Sequence, residues 1–496
     1  MKKQTIIMKT NSKHIILSFV LLLMPLFMGA QVIKVSYFLE NSIDRNKMNP
    51  AFAPRANYFQ LPVIGNVSLG IYNNWLGMSP FVYPLENGQM GTFLHPSVSV
   101  DQFNSNFPKN PFLDVEFDSN ILSFGFYTKS RAFWTFDLGL HLDVDTDLPG
   151  DLFRFLKQGT GLGSNSYNIA NLNAYARGVV QASIGYSRDL DFLLDGLRVG
   201  LKARFIAPVV YGGLNLENVR LSTDENSWRI DTEGYLNVAA SGLELLIPEI
   251  NPDTQEFAMP EAKFDKDKFL ASPVAGTGVS FDLGFEYELS IGSWFDGITL
   301  SAAVTDLGRI AYNDSAVASY ITNGGFVWEG FKDVTLDTDY AELANKLIEE
   351  AKAGLMNLTE QPGQKLSTST LPKFYVGLEV PFLKKTMSVG LLYSAKKSYR
   401  YTRHDLMASY NLTPCKWFAL GVNYSFLNTD KCLGCILELT PKVGPTFRIG
   451  ADYIFYEYAR TPYLEENFMI PILPVGRTSI NFNFGIAFNI GSRYAE

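Results

Sequence analysis

Cysteine is scarce in this chain. Three residues in 496, Cys415, Cys432 and Cys435, are too few for a disulfide-stapled scaffold. Cys432 and Cys435 form one CxxC, with no second pair and no flanking His, which is weak ground for zinc. A loop disulfide among the three is the plainer reading. Histidine is nearly as scarce, with four residues. His14, His95, His141 and His404 have no helically spaced or CxxH partner, so no metal is expected. There is no glycine-rich nucleotide loop and no nucleophile elbow in a strand-to-helix setting, so neither a catalytic residue nor a cofactor is expected. Charged residues make up only 19%, and the formal net charge is −8. Without a basic footprint no nucleic-acid partner is expected. After residue 30 the apolar stretches are broken every few residues by Asn, Asp, Gly, Lys or Arg, so no helical membrane span follows.

What is present begins at the N-terminus. Lys2, Lys3, Lys9 and Lys13 precede an almost wholly apolar run from Ile15 to Met28, and Gly29 and Ala30 close it. A basic leader, an apolar run and small residues, in that order, make a secretory signal peptide, with Gln31 as the new N-terminus. The apolar run is short against the ~20 residues of a helical span, so cleavage is expected over anchoring. No Cys follows the cut, so a lipoprotein signal is not supported. Cleavage removes four Lys and no acid, taking the formal charge from −8 to about −12.

The full sequence is 47% hydrophobic and 14% aromatic, too apolar for disorder. Its signal is alternation. From Ala132 to Asp145 one set is Ala132, Trp134, Phe136, Leu138, Leu140, Leu142 and Val144, and the other is led by Thr135, Asp137, His141 and Asp143. Side chains on a strand point alternately to opposite faces, so one face suits lipid and the other water. The same pattern runs through 197–205, 279–287, 418–426 and 447–455. Further candidates lie near 63–72, 119–129, 174–187, 213–223, 227–239, 297–305, 373–380, 386–394 and 404–412. The cleanest case is last: Ile480, Phe482, Phe484, Ile486, Phe488 and Ile490 alternate with Asn481, Asn483, Gly485, Ala487 and Asn489. About eleven residues suit a tilted bilayer crossing. The chain then runs on through 491–496 rather than ending on an aromatic.

A soluble sandwich also alternates. Here the polar faces are rich in Gly, Ser and Asn, the apolar faces end in aromatics, and no linker divides some fifteen strands. The expected fold is therefore all-β: a single transmembrane antiparallel barrel, which satisfies every backbone group in lipid. Even strand numbers are the rule; 14 is expected, with 12 and 16 the neighbouring choices. Residues 63–496 form the barrel, with long loops near 241–275 and 313–370. Asp151–Lys157 reads as a short helix, and residues 339–355 as an amphipathic one.

Residues 31–62 break the pattern. Pro50, Pro54 and Pro62 cannot donate to a ladder, and Tyr37, Phe38, Phe52, Tyr58 and Phe59 need somewhere to pack. A hatch inside or beneath the barrel fits better than a flexible tail.

The Asn49-Pro50-Ala51-Phe52 motif, soon after a leader ending in Ala-Gln, resembles an uncharacterised family of Bacteroidota outer-membrane barrels, itself similar to the long-chain fatty-acid transporter (FadL-like) superfamily. Leu148–Leu152, Gly196–Lys202, Val304-Thr305-Asp306-Leu307-Gly308 and Leu371-Pro372 carry the resemblance along the chain. It implies a 14-stranded barrel with an N-terminal hatch in the outer membrane of a Gram-negative bacterium. It implies porin-like passive transport of hydrophobic or amphiphilic molecules such as fatty acids only loosely, because one fold hosts several roles. The alternative is a non-transporting barrel, a surface anchor or a partner in a secretion or assembly complex. Outer-membrane lipid and the barrel assembly machinery are the expected partners, with a hydrophobic or anionic small molecule as ligand.

Two clusters carry charge. Asp143, Asp145 and Asp147 open like a calcium loop, but Leu148-Pro149 stands where the turn glycine belongs, so a charged strand end is the better reading. Arg198, Lys202 and Arg204 share one face of one strand, the lumenal face of a barrel. They either steer an anionic solute or hold wall and hatch in ion pairs with acids such as Asp137, Asp143, Asp282 and Glu286.

Overall fold

Strict alternation becomes a two-sided wall. Along Gly276–Leu289, Val279, Phe281, Leu283 and Phe285 point outward and stay exposed, while Ser280 and Asp282 between them are fully buried. In the computed structural model fourteen antiparallel strands of this kind close on themselves. In chain order they are β1 (two pieces, Asn57–Gln60 and Val67–Asn73), β2 (Phe112–Tyr127), β3 (Phe133–Asp147), β4 (Leu172–Asp189), β5 (Leu197–Thr223), β6 (Gly276–Leu289) and β7 (Ile298–Tyr312). There follow β8 (Lys373–Phe382), β9 (Met387–Lys397), β10 (Thr402–Cys415), β11 (Phe418–Ser425), β12 (Cys432–Leu439), β13 (Pro445–Ile454) and β14 (Ile480–Ile490). The structure describes residues 34–490 apart from 63, 78, 86–89, 159–164, 169–171, 224–226, 247–260, 290–296, 323, 329–357, 399–401, 427–431, 442–444 and 455–478.

Closure runs through β1, which pairs with β14 on one side and β2 on the other. β1 is broken at 61–66. The wall stays continuous there, because Ile486 N donates to Ile64 O (3.1 Å) and Asn120 N donates to Asn66 O (3.1 Å). Short turns at 128–132, 190–196, 383–386 and 416–417 mark one end, called lower here. At the upper end, residues 74–111 between β1 and β2 pack an aromatic cluster of Tyr83, Phe103 and Phe107 against Trp75 and Phe153. The expected helix near 151–157 is present as Gly150–Gln158. The expected helix at 339–355 lies outside the described residues. Within 241–275 stand a small ladder, Leu243–Leu246 with Glu261–Phe264, and the helix Lys266–Ala271.

The sequence suggests two strands at 197–205 and 213–223. They are one, β5, of 27 residues. At roughly 3.3 Å per residue it far exceeds an apolar band ~25 Å tall. Its lower half, Leu197–Ile206, pairs with β6; above Pro208 the partner becomes Trp228–Ala240, which in turn carries Val317–Thr322 and Gly325–Trp328. The wall thus rises well above any bilayer on this side.

The loop disulfide is not formed: all three cysteines are free. Cys415 ends β10 at the lower rim, opposite Phe418, whereas Cys432 starts β12 at the upper rim, opposite Ser425. Cys432 is buried and Cys435, three residues on, lies on the other face of the strand.

Candidate functional site in the plugged lumen

The segment before β1 fills the barrel. Lys34–Ser36 and Arg45–Met48 are short helical turns, and the chain around them is almost wholly buried. Tyr37, Phe38, Met48 and Phe52 pack together against Tyr375, Leu392 and Met407 of the wall. Tyr37 stands edge-on to Phe52 at 4.9 Å, and the Arg45 guanidinium lies 3.8 Å over the Phe52 ring. Asn57–Gln60, at the end of this stretch, is wall rather than plug.

The Asn49–Phe52 motif seats on glycine. Gly200 of β5 and Gly284 of β6 are register partners. A Cβ on Gly284 would overlap Asn49 Oδ1, and one on Gly200 would overlap the Pro50 carbonyl. In the space so left, Asn49 Nδ2 donates to Phe285 O at 3.0 Å, while Asn49 Oδ1 accepts from Ala51 N at 2.9 Å. The tip's own amide is thereby fixed and the motif is tied to the wall backbone. Gly377 and Gly390 make the same room for Tyr37 and Phe38.

Ion pairs complete the seat. Arg448 of β13 meets Asp44 at 2.7 Å, both side chains being buried. Lys34 donates from its backbone to Asp452 (2.6 Å) and from Nζ to Asp405 (3.0 Å) and Tyr453 Oη (2.7 Å). These contacts depend on a bulge: β13 sets two residues, Asp452 and Tyr453, against Gly434 alone on β12, with Tyr453 at φ 58°. A bulge re-aims side chains, and both point inward here. β7 repeats the device at Thr305 and Asp306, opposite Asp282, with Asp306 at φ 59°. This gives the Val304–Gly308 motif a physical reason, since Asp tolerates the left-handed region that β-branched residues resist. Asp306→Val is therefore expected to lower unfolding stability by about 1–2 kcal/mol relative to Asp306→Asn; equal denaturant midpoints would remove this account.

The basic row is fully engaged. Arg198 pairs with Asp189 (2.7 Å), Lys202 with Asp137 (3.2 Å), and Arg204 with both Asp282 and Asp306 (2.5 Å each). Lys202 and Arg204 line a central chamber of about 110 Å³ above the hatch; Arg198 lies below it. His141 sets Nδ1 2.9 Å from Asp118 and Nε2 3.4 Å from Asp143, and Asp143 also holds Arg177 at 3.0 Å. The same chamber is also lined by Val179, the ladder partner of His141, and by Ile206, Ile310 and Leu371, part of an apolar cluster. Among the described residues no group of three or more His, Cys, Asp or Glu is placed to hold a metal.

Above the chamber the lumen is crossed. Lys396 of β9 bonds Asp114 (2.6 Å) and Glu116 of β2. Lys373 at the start of β8 reaches Glu116 at 3.3 Å, and Arg403 of β10 reaches Asp114 (2.6 Å) and Asp145 of β3 (3.0 Å). In a ring of fourteen, β2 and β9 stand diametrically opposite. The barrel is therefore pinned across its own diameter. Apart from Asp145, sequence reading missed these residues, because nothing local to a strand says which strands face each other.

One family model matches residues 50–451, most of the chain. The chain belongs to the family of unknown function DUF5723. The DUF5723 match opens at Pro50, inside the hatch tip, and closes at Ala451, beside the β13 bulge. No curated protein matches. Solved structures with likeness include the P. putida toluene transporter TodX, at 12% identity over 89% of this chain and 92% of that one, TM-score 0.36. A deltaS2 mutant of the TodX monoaromatic hydrocarbon channel gives 11%, 91%, 95% and 0.39. A triple mutant of the Rhodopseudomonas blastica porin gives 9%, 66%, 98% and 0.20. No role is taken from likenesses this distant.

Proposed function

We propose that this DUF5723 protein is a Gram-negative outer-membrane barrel, exported by a signal peptide cleaved after residue 30, that passes a small amphiphilic molecule through a lumen gated by its hatch. The carrying observation is the chamber: its lining joins the charges of β2, β3 and β5 to an apolar patch of Val179, Ile206, Ile310 and Leu371, with Lys47 of the hatch on one side and Lys373 and Lys396 toward the upper end. An amphiphile satisfies both walls. A wholly apolar guest would strip water from paired charges without replacing it. A long-chain fatty acid is one member of this amphiphile class, and the ion-pair cluster at the chamber's upper end discriminates further within it. Gating is the hatch's part, because its seat rests on a few buried ion pairs and on close glycine approaches rather than on a covalent tie.

The surface reading has its own support. The sheet built on the upper half of β5 is a broad ordered platform, suited to an anchor or assembly partner. Uptake separates the two. Proteoliposomes are expected to admit radiolabelled hexanesulfonate or L-leucine, both of which cross lipid slowly, severalfold faster than protein-free vesicles. Entry of neither above that background would overturn passage and leave the anchor.

A further inference from the structure

We infer that the ion-pair cluster spanning the lumen is a recognition site for a small zwitterion, one that carries an ammonium and a carboxylate on a short apolar skeleton. The inference rests on the passage reading for its purpose, but its test is a binding measurement independent of flux.

Most lumenal ion pairs join near neighbours in the ring: Arg177 to Asp143 links β4 to β3, and Arg204 to Asp282 links β5 to β6. The cluster of Asp114, Glu116, Lys373, Lys396 and Arg403 differs. Its acids come from β2 and its bases from β8, β9 and β10, on the far side of the barrel. Both acids are about 1% exposed. A solute too large to slip beside the cluster must part these walls, and parting them leaves buried charges of both signs without partners.

That cost selects the solute. Separating a buried pair and leaving one charge bare is strongly unfavourable. A carboxylate alone can replace Glu116 on the lysines, but then Glu116 and Asp114 stand bare. An amine alone leaves Lys373, Lys396 and Arg403 bare. An uncharged guest strands both halves. A zwitterion alone completes each half: its carboxylate takes Lys396 and the planar fork of Arg403, which suits a carboxylate bidentately, and its ammonium takes Asp114 and Glu116.

The space agrees. Lys373, Tyr375 and Lys396 line the central chamber of about 110 Å³ and also a second cavity of about 60 Å³ toward Tyr72 and Phe112. The cluster is thus the partition between two adjoining cavities, not a solid core. Tyr375 and Leu371 offer an apolar surface beside the lysines for the ligand's carbon skeleton.

The test uses three molecules of one shape. L-leucine, 4-methylpentanoate and 3-methylbutylamine are titrated into the full mature protein in detergent, with binding read by calorimetry and by thermal shift. L-leucine is expected to bind at least tenfold more tightly than either single-charge analogue and to raise the melting temperature in a concentration-dependent way. Lys396→Gln should weaken leucine at least tenfold. Glu116→Gln, which removes the ammonium's partner while freeing the lysines, should cut the preference for leucine over 4-methylpentanoate. Heat-modifiable migration of each variant establishes that the barrel has formed; if Lys396→Gln does not form, Glu116→Gln decides. Equal affinity for leucine and 4-methylpentanoate, or no binding of leucine, would overturn the inference while leaving passage to the uptake result. Leucine binding with uptake of neither leucine nor hexanesulfonate would keep the recognition site and sink passage.

Discussion

Gly284→Leu is expected to unseat the hatch and turn a closed barrel into an open one. The Asn49–Pro50 tip lies against Gly200 and Gly284 so closely that any Cβ on Gly284 enters Asn49 Oδ1. Overpacking of this kind costs about 1–3 kcal/mol. It cannot relax outward, because Gly284 is held in ladders with β5 and β7. The plug must move instead, and with it go the Asn49 bond to Phe285 O and the packing of Phe52 on Tyr37. In planar bilayers the variant should conduct where the parent is nearly silent, and residues 34–56 should become open to protease. Gly212→Leu, on the neighbouring strand β5, is the control, since a Cβ there meets nothing within 4 Å. Silence of Gly284→Leu, or conduction by both variants, would detach the motif from gating.

Arg448→Met should have the largest effect on stability, a loss of about 3–5 kcal/mol, the range for stripping one partner from a buried pair. Arg448 serves two acids. It holds Asp44 of the hatch at 2.7 Å and stands across the ladder from Glu438, itself buried. Removing the guanidinium leaves both carboxylates without compensation. Asp44→Ala should be markedly milder, because Arg448 keeps Glu438 opposite it. Denaturant unfolding in detergent measures both. The asymmetry is the discriminating result, and equal losses would mean that Glu438 does not share the charge.

Much of the wall was legible in the chain. The final strand reads from Ile480 to Ile490 by alternation alone, and the same limits appear in the structure. The expected count of fourteen also stands. Period two is a local property: every second side chain meets the same solvent, so the pattern needs no knowledge of neighbours. Nothing local marks the two pieces of β1, Asn57–Gln60 and Val67–Asn73, as one strand with a break between them. Pro381 sits in register with Ser388, and Pro208 marks a change of partner along β5. The glycines of the inner face were legible as a set, but they suggested a watery lumen, whereas several are the seat of the plug.

The sequence by itself determined which residues of a strand share a face, and that the stretch around Asn49–Phe52 obeys a different rule. Only the tertiary structure decided what the inner face does. Arg198, Lys202 and Arg204 share a strand face in the chain, yet each meets a separate acid set by strand pairing. Asp114 and Lys396 are 282 positions apart, and no pattern in either strand links them. They meet because the ring closes with β2 opposite β9. Closure is a global condition, satisfied only when all fourteen strands are in place, and it alone converts two isolated charges into the bar across the lumen.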